Sequence, residues 1–328
     1  MKAIVSHEYG SPDVLRLEEV EKPVPADDEA LVEIHAASAH AGDWHLLRAD
    51  PFFLRLMGFG FLKPKNEILG ADFAGRVGAV GTRVKELQPG AEVFGATTLG
   101  RKLGVYGGAF AEYVCVTEDQ VVPKPANLSF EEAAAVPSSA LAALQALRDA
   151  GQVRQGQRVL VNGASGGVGT FAVQIAKAFG AEVTGVCSTK NVDMVRSIGA
   201  DLVIDYTRND FTRLGQRYDL IVDTAAYRSI LEPMRALSPE GTYLLVGGTT
   251  ARFLQAALLG PWISRVGSKK IVAFSVEENK KDLLVVKKLI ETGQVAPVID
   301  RRYPLDEVPE ALRYLEEGHT RGKVVITV

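Results

Sequence analysis

The chain has 328 residues, of which 47% are hydrophobic and 23% are charged, and its formal net charge is −3. Such a length usually serves two hydrophobic cores, the composition is typical of a globular protein, and the charge gives no reason to expect nucleic acid or an anionic membrane as partner. No apolar run reaches the roughly 20 residues of a membrane span, and the first residues lack the apolar core of a signal peptide. Because two cysteines cannot build a disulfide framework, we expect a cytoplasmic protein.

The chain up to about residue 127 shows the short alternating patterns of β-strands. Apolar and polar residues alternate over residues 2–6, 14–18, 30–37 and 109–117. The glycine-rich run at residues 73–80 is typical of a bent strand at a barrel corner. Prolines separate these runs. We therefore predict a small, mostly antiparallel barrel for this half of the chain.

The pattern changes to helical spacing at Ser129. Ser129 and Glu132 form the capping-box pattern, and the alanine- and leucine-rich helix that follows is expected to break near Pro137.

The next stretch has the order of a dinucleotide-binding βαβ unit. A β-branched run at residues 159–161 precedes a turn of small residues at 163–169, then a helix with apolar periodicity and a second strand at 183–186. A pyrophosphate must approach backbone N–H groups at a helix N-terminus, which side chains in the turn would block. We therefore assign Gly166 to close approach of the phosphate and Gly169 to close packing of the helix on the strand. The turn reads A-x-G-x-x-G and so lacks the usual first glycine.

Strands and helices keep alternating after this unit, which predicts a doubly wound parallel sheet. Further strands are predicted at 202–204, 220–222, 243–246 and 271–274, and helices near 192–198, 230–237 and 282–291. The tail from residue 300 contains a helix that ends near Gly318 and a last strand at 324–328. Because that strand resembles the first half more than the middle, we predict that the middle domain is inserted into the first.

Several motifs make the chain similar to the medium-chain dehydrogenase/reductase superfamily, in particular its zinc-free quinone oxidoreductase and enone reductase branch. The motifs are NGASGGVG at 162–169, GGAFAEY at 107–113, SIGADLVIDY at 197–206 and GHTRGKVVI at 318–326. The resemblance spans essentially the whole chain. It implies an α/β fold with a GroES-like antiparallel barrel at 1–127 and 297–328, and a Rossmann cofactor domain at 128–296.

Zinc-dependent relatives carry Cys-His-x-x-Asp and Gly-His-Glu motifs, and this chain departs from both. The corresponding stretches read His40-Ala41-Gly42-Asp43 and Gly70-Ala71-Asp72. Catalytic zinc needs three N, S or O ligands and an open position. We therefore expect no metal.

The end of the second βαβ strand indicates which nicotinamide cofactor is used. NAD-specific folds place a carboxylate there for the ribose hydroxyls, whereas this chain has Ser188 and Lys190 and no carboxylate after that strand. The resemblance adds Tyr206 and implies that the three hold the adenosine phosphate of NADPH. The remaining cofactor contacts it implies are Ser165, Gly166, Gly167, Val168, Asp223, Gly247, Gly248, Phe274, Ser275, His319 and Lys323.

The chemistry implied by the resemblance is NADPH-dependent reduction of a quinone, or of the C=C bond of an α,β-unsaturated carbonyl, by hydride transfer without metal. The candidate catalytic residues are His40, Asp43 and Tyr106. Two interpretations of His40 stay open: a hydrogen-bonded histidine near the domain interface, or a group near the substrate carbonyl. The aromatic-rich stretch at 44–61 is interpreted equally as a wall for an apolar substrate or as core.

Two other functions fit the same fold. They are an NAD(P)-dependent alcohol dehydrogenase and a non-enzymatic protein that binds NADPH. The family also pairs the last strands of two cofactor domains, so a homodimer through residues 271–274 is expected.

Overall fold

The computed structural model describes residues 1–57, 59–100 and 106–328. The chain forms two compact units. The first unit comprises Met1–Ser138, Glu278–Glu291 and Pro297–Val328, and the second comprises Ser139–Glu277 and Thr292–Ala296. The domain boundaries expected from the sequence, 1–127 with 297–328 and 128–296, stay a prediction.

The regular elements are numbered here in chain order. The strands are β1 Lys2–Val5, β2 Arg16–Glu19, β3 Glu29–Ala39, β4 Asp72–Val80, β5 Glu92–Ala96, β6 Tyr113–Thr117, β7 Val121–Pro123, β8 Arg158–Asn162, β9 Glu182–Cys187, β10 Leu202–Asp205, β11 Tyr218–Asp223, β12 Leu237–Leu245, β13 Lys270–Ala273, β14 Ile299–Pro304 and β15 Lys323–Thr327. The α-helices are α1 Ala41–Arg48, α2 Phe130–Ala134, α3 Pro137–Gln145, α4 Gly167–Ala178, α5 Val192–Ser197, α6 Thr250–Val266, α7 Lys280–Glu291 and α8 Val308–Glu316.

The first unit is built on a mostly antiparallel sheet. Its strands follow the order β14-β15-β3-β4-β5-β7, β6 also pairs with β3, and only β14 and β15 run parallel to each other. Phe73, Phe94 and Phe110 are fully buried in this unit. The last strand pairs with β3 through Val324 opposite Ala39, which confirms that the tail returns to the first half of the chain.

The second unit is an all-parallel sheet in the order β10-β9-β8-β11-β12-β13. From β8 the chain continues through β9 to β10 at one edge, and from β11 it continues through β12 to β13 at the other edge. The direction of the strand order therefore reverses between β8 and β11. Ligands of open parallel sheets bind beyond the carboxyl ends of the strands at such a switch point. The glycine turn leaves β8 at this point, which confirms the doubly wound sheet predicted from the sequence.

Some local predictions are confirmed at the level of individual atoms. The Ser129 hydroxyl accepts a hydrogen bond from the Glu132 N–H at 3.1 Å, and the Ser129 N–H donates to the Glu132 carboxylate at 2.8 Å. The helix that they cap ends at Ala134 and the next begins at Pro137, as expected.

Other local predictions are wrong. The helix expected at 230–237 is a series of turns with one 3₁₀ turn at Pro233–Ala236, because β12 begins at Leu237. The strand expected from residue 109 begins only at Tyr113. Before Tyr113, Ala111 forms only an isolated antiparallel bridge with Ala3, away from the β3 pairing that begins at Tyr113.

Within residues 1–57, 59–100 and 106–328, no helix is both long enough and apolar enough to cross a membrane.

Candidate active site

The glycine turn before α4 is shaped to receive an anion. Gly166 occupies the N-cap with φ −82° and ψ 176°, and no side chain caps the helix. The first N–H groups of a helix have no partner within it, so they face outward with the positive end of the helix dipole. A Cβ placed on Gly166 would meet only the Gly163 carbonyl oxygen, at 3.5 Å, so the space above the turn is open. Ser165, Gly167 and Val168 are half-buried beside it.

Gly169 has a different role in the same turn. A Cβ on this residue would lie 2.1 Å from the Gly163 carbonyl oxygen and 2.9 Å from the Ala164 Cα. Because both atoms belong to the backbone, a side chain at this position could be accommodated only if α4 moved away from β8. The predicted close packing of α4 on β8 at Gly169 is confirmed.

Strand register brings together the three residues expected at the adenosine end. Asp205 of β10 pairs with Cys187 of β9, so Tyr206 and Ser188 follow at neighbouring strand ends. The Tyr206 N–H donates to the Cys187 carbonyl at 3.0 Å. Tyr206 and Lys190 are exposed and Ser188 is half-buried, so all three can meet a ligand.

A carboxylate that the sequence argument missed lies beside these residues. Asp205 accepts hydrogen bonds from the hydroxyl of Thr189, at 2.6 Å, and of Thr207, at 2.7 Å, and the Arg208 guanidinium is 3.6 Å away. The hydroxyl of Thr189, then that of Thr207, and the charge of Arg208 hold its pKa below the usual range. The carboxylate of NAD-specific folds is expected directly after β9, whereas Asp205 ends the neighbouring strand β10. Arg208 adds an exposed cation at the same edge.

Asp223, one of the expected cofactor contacts, is buried and connects three neighbouring strands through hydrogen bonds. Its carboxylate accepts hydrogen bonds from Asn162 at 2.8 Å, the Ala225 N–H at 3.0 Å and the Tyr243 hydroxyl at 2.8 Å. Only 2% of Asp223 is exposed, and burial raises its pKa. Its carboxylate is therefore occupied by three protein donors, and its contact with the cofactor stays a prediction.

The other predicted residues of the second unit also follow strand ends. Gly247 and Gly248 lie against Thr224 and Ala226, so close that a Cβ on either would be 2.6–2.7 Å from a backbone oxygen. Phe274 is half-buried and its N–H donates to the Leu245 carbonyl at 2.9 Å, and Ser275 is exposed.

In the first unit, the three candidate catalytic residues form one hydrogen-bonded group at the N-terminus of α1. The Tyr106 hydroxyl lies 2.7 Å from Asp43 Oδ1 and 3.1 Å from His40 Nε2. Asp43 is fully buried and also accepts from the N–H groups of His40, at 2.8 Å, and Gly70, at 3.1 Å. The structure therefore joins residues that the sequence separates by more than 60 positions.

The direction of these hydrogen bonds follows from the chemistry of each group. The Gly42 N–H donates to His40 Nδ1 at 3.1 Å, so a neutral His40 carries its proton on Nε2. That proton is directed to the Tyr106 oxygen, and Tyr106 donates its own proton to Asp43. Burial and the charge of Asp43 raise the pKa of Tyr106 well above its ordinary value, so the phenol stays protonated. This arrangement holds Tyr106 in place and stabilises one tautomer of His40.

Lys323, one of the expected cofactor contacts, is paired with a buried carboxylate of the first unit. Its ammonium is 2% exposed and lies 3.5 Å from Oδ2 of the fully buried Asp72. Asp72 also accepts from Ser38 and from the N–H and hydroxyl of Ser138. Lys323 therefore compensates a buried charge of the first unit, and its contact with the cofactor stays a prediction. His319, the other predicted tail contact, is exposed in the same unit.

The two stretches that correspond to the zinc motifs of relatives have other roles in this structure. Ala71 offers no ligand atom, and the carboxylates of Asp43 and Asp72 are engaged as described. Among the described residues, no group of three or more His, Cys, Asp and Glu side chains is arranged to hold a metal ion.

A small pocket that opens to solvent lies beside Tyr106 in the first unit. Its walls combine apolar and polar side chains, namely Leu46, Leu47, Phe59, Pro64, Leu69, Ser6, Tyr9, Lys65, Asn66 and Tyr106. Of the aromatic side chains described in residues 44–61, Phe59 lines the pocket, together with Leu46 and Leu47 of the same stretch. Phe52 and Phe61 are more than half exposed, Trp44 stacks on His45 at 3.7 Å between ring centroids, and the side chain of Phe53 lies outside the described part of the structure.

Two sequence families match the chain. The alcohol dehydrogenase GroES-like domain matches residues 26–126, and the zinc-binding dehydrogenase family matches residues 198–326. The 2-methylene-furan-3-one reductase of Solanum lycopersicum is 35% identical over 336 residues, covering 99% of this chain and 79% of the relative.

Solved structures share the fold over the full length. A crystal structure described as an NAD-dependent alcohol dehydrogenase has a TM-score of 0.88 at 29% identity, and the quinone oxidoreductase of Escherichia coli in complex with NADPH has a TM-score of 0.82 at 25% identity. In both comparisons 100% of each chain is covered.

Proposed function

Because the chain belongs to the zinc-free quinone oxidoreductase and enone reductase branch of the medium-chain dehydrogenase/reductase superfamily, we propose that it reduces quinones or the C=C bond of α,β-unsaturated carbonyls with NADPH. The observation that carries the proposal is the edge of the parallel sheet. An open glycine turn at the switch point and a cationic, hydroxyl-rich rim lie at neighbouring strand ends there. Pyrophosphate and an adenosine phosphate are the groups that such an edge binds.

NADPH, when bound, supplies the hydride. The N–H groups at the start of α4 bind the pyrophosphate, and Ser188, Lys190 and Tyr206 hold the adenosine phosphate. Arg208 offsets the charge of Asp205, so that this carboxylate does not repel the phosphate. The strand-end residues Gly247, Gly248, Phe274 and Ser275 extend the binding edge across the sheet.

Lys190→Ala tests the preference for NADPH over NADH. A hydrogen bond between charged groups is worth about 1.5–3 kcal/mol, so the substitution should raise the KM for NADPH about ten-fold or more. The KM for NADH should change little, because NADH lacks the phosphate that Lys190 contacts. Steady-state kinetics with both cofactors make the measurement, and equal use of the two by the unsubstituted protein would contradict the proposal.

The acceptor follows from the charge that hydride transfer leaves behind. An isolated carbonyl becomes an alkoxide, whereas an enone or quinone spreads the charge over an enolate or phenolate that modest hydrogen bonds stabilise. At the pocket of the first unit, Lys65 and Asn66 are the lining residues with N–H donors, and Tyr106, whose own proton is donated to Asp43, forms part of the wall. We propose that this pocket receives a small apolar carbonyl or quinone. No metal takes part, since Ala71 supplies no ligand and Asp72 is paired with Lys323.

An alcohol dehydrogenase is the second candidate, because a structure so described shares the fold. A panel of quinones, enones, enals and saturated aldehydes, each followed by NADPH oxidation, separates the two functions. Turnover of quinones or enones with negligible turnover of saturated aldehydes supports reduction of conjugated acceptors. Fastest turnover of saturated aldehydes would favour the dehydrogenase, and no turnover of any acceptor would favour a non-enzymatic dinucleotide-binding protein.

We further propose a homodimer through the edge of the parallel sheet. Strand β13 is the last of its sheet and pairs with β12 on one side. The preceding helix α6 packs on β13 at Gly260 and exposes Leu254, Leu258 and Trp262 by 57%, 76% and 65%. A second copy placed by a two-fold axis would pair the edge and cover these side chains with the same patch.

The oligomeric state is measured by sedimentation at micromolar concentration. We expect a dimer for the unsubstituted protein and a monomer for Leu258→Glu/Trp262→Glu, whose charges a buried interface would exclude. A monomeric unsubstituted protein would contradict the proposal.

A cytoplasmic location is also proposed. Cys115 and Cys187 are both free thiols, and burial raises the pKa of each to about 11, as is suited to unreactive cysteines in a reducing compartment.

A further inference from the structure

Asn191 lies between Ser165 and Ser188, two of the predicted phosphate-binding residues of the second unit. It ends the 3₁₀ turn Thr189–Asn191 that follows β9, and only 3% of it is exposed. Its Nδ2 donates to the Ser165 hydroxyl at 3.0 Å and to the Ser188 hydroxyl at 3.4 Å. One amide group therefore connects the glycine turn after β8 with the loop after β9.

The direction of these bonds decides what the two serines can do. An amide nitrogen carries two protons and no acceptor, so both serine oxygens accept from Asn191. Each serine then keeps its own proton for another acceptor, and within the described residues neither hydroxyl proton has one. Ser165 lies in the turn assigned to the pyrophosphate, and Ser188 lies at the rim assigned to the adenosine phosphate. Phosphate oxygens are the acceptors that both hydroxyl protons would meet.

The carbonyl oxygen of the Asn191 side chain also indicates a ligand. Asn191 Oδ1 is buried and has no hydrogen-bond partner in the described part of the chain. A buried acceptor without a donor is costly, so such an atom in a folded protein calls for an explanation. In NADPH the adenosine ribose carries the pyrophosphate on its 5′-carbon and the phosphate on its 2′-carbon. Its remaining 3′-hydroxyl is a donor located between them.

We propose that Asn191 is the positioning residue for the adenosine half of NADPH. Its Nδ2 turns the Ser165 and Ser188 protons toward the two phosphate groups, and its Oδ1 accepts a hydrogen bond from the ribose 3′-hydroxyl. The inference rests on the proposed use of NADPH.

The test uses binding of adenosine fragments to the full-length protein, followed by calorimetry, and needs no acceptor. The ligands are 2′,5′-ADP and 5′-AMP, which differ only in the 2′-phosphate. We expect Asn191→Leu, which keeps the volume and removes both amide functions, to raise the Kd for 2′,5′-ADP about ten-fold, since one oriented hydrogen bond to a charged group is lost. Asn191→Asp keeps the shape of the side chain, but a carboxylate can only accept hydrogen bonds. The Ser165 and Ser188 hydroxyl protons would then turn toward residue 191 and away from the ligand, so the loss of 2′,5′-ADP affinity should be larger.

A double-substitution cycle separates positioning from a general structural role. If Asn191 acts through Ser188, then Asn191→Leu should weaken 2′,5′-ADP binding much less in a Ser188→Ala background than in the unsubstituted protein. The matched control is Asn127→Leu, which removes a side-chain amide that donates to the Ile290 carbonyl in the first unit, and its Kd should stay unchanged.

The outcomes distinguish this inference from the proposal on which it rests. If the unsubstituted protein binds 2′,5′-ADP no tighter than 5′-AMP, the preference for NADPH is wrong. If the unsubstituted protein prefers 2′,5′-ADP, but Asn191→Leu and Asn191→Asp each bind this ligand as tightly as the unsubstituted protein does, the positioning role alone is wrong. Equal weakening in both Ser188 backgrounds would also overturn that role.

Discussion

Gly169→Ala should abolish cofactor binding and destabilise the second unit by about 3 kcal/mol or more, since overpacking of a rigid contact costs about this much. The added methyl group would lie 2.1 Å from the Gly163 carbonyl oxygen and 2.9 Å from the Ala164 Cα. Both atoms belong to the turn that joins β8 to α4, so the helix must move away from the strand. Thermal unfolding and NADPH titration by fluorescence measure the two effects.

Gly166→Ala is the matched control three residues earlier. Its methyl group meets nothing closer than 3.5 Å, and φ of −82° suits alanine, so thermal stability should stay within about 0.5 kcal/mol of the original. The methyl group does occupy the space that a pyrophosphate needs, so the Kd for NADPH should rise about ten-fold or more. A stable Gly169→Ala protein, or unchanged NADPH affinity in Gly166→Ala, would show that the turn has been assigned wrongly.

Lys323→Met should lower the stability of the first unit by about 3–5 kcal/mol, because it leaves the buried charge of Asp72 without its cation. The ammonium and the carboxylate are 3.5 Å apart, and their exposed fractions are 2% and 0%. Adding Asp72→Asn should restore part of the loss, since no uncompensated charge remains. The urea midpoint of the single and double variants gives the comparison.

The control for this pair is an exposed cation. Arg83 lies 3.6 Å from Asp28 at the surface, and Arg83→Met should cost less than about 1 kcal/mol. The same experiment decides the role of Lys323. A stable Lys323→Met protein with weakened NADPH binding would support the cofactor contact expected from the sequence.

The features of the site that the sequence predicts depend on residues close together in the chain or on the strand pattern. Glycine roles in the turn between β8 and α4 follow from local steric demands, which a motif encodes. Ser188 and Tyr206 are 18 positions apart, but two parallel strands place them at one edge, and the strand pattern predicts that.

The contacts that the sequence does not predict are made by residues far apart in the chain. The partner of Lys323 in the structure is Asp72, which is 251 positions away, and both side chains are buried. Asp223 looked accessible at a strand end, but the hydroxyl of Tyr243 from the next strand closes over it. No pattern in the local sequence records either pairing.

The sequence does not predict helix α6, and it wrongly predicts a helix at 230–237. Helix α6 is apolar on its exposed face as well as its buried one, so it lacks the periodicity that identifies a surface helix. The segment before β12 has helix-forming residues, but its final residues are taken up by the sheet.

The most direct test of the proposed reaction is the position of the transferred hydride. The protein is given an α,β-unsaturated ketone with NADPH deuterated at the transferable position, and the product is examined by NMR. Deuterium on the β-carbon of a saturated ketone is the result we predict, since the enolate is the charge distribution that the site can stabilise without a metal. Deuterium on the carbonyl carbon of an allylic alcohol would contradict the account and identify an alcohol dehydrogenase.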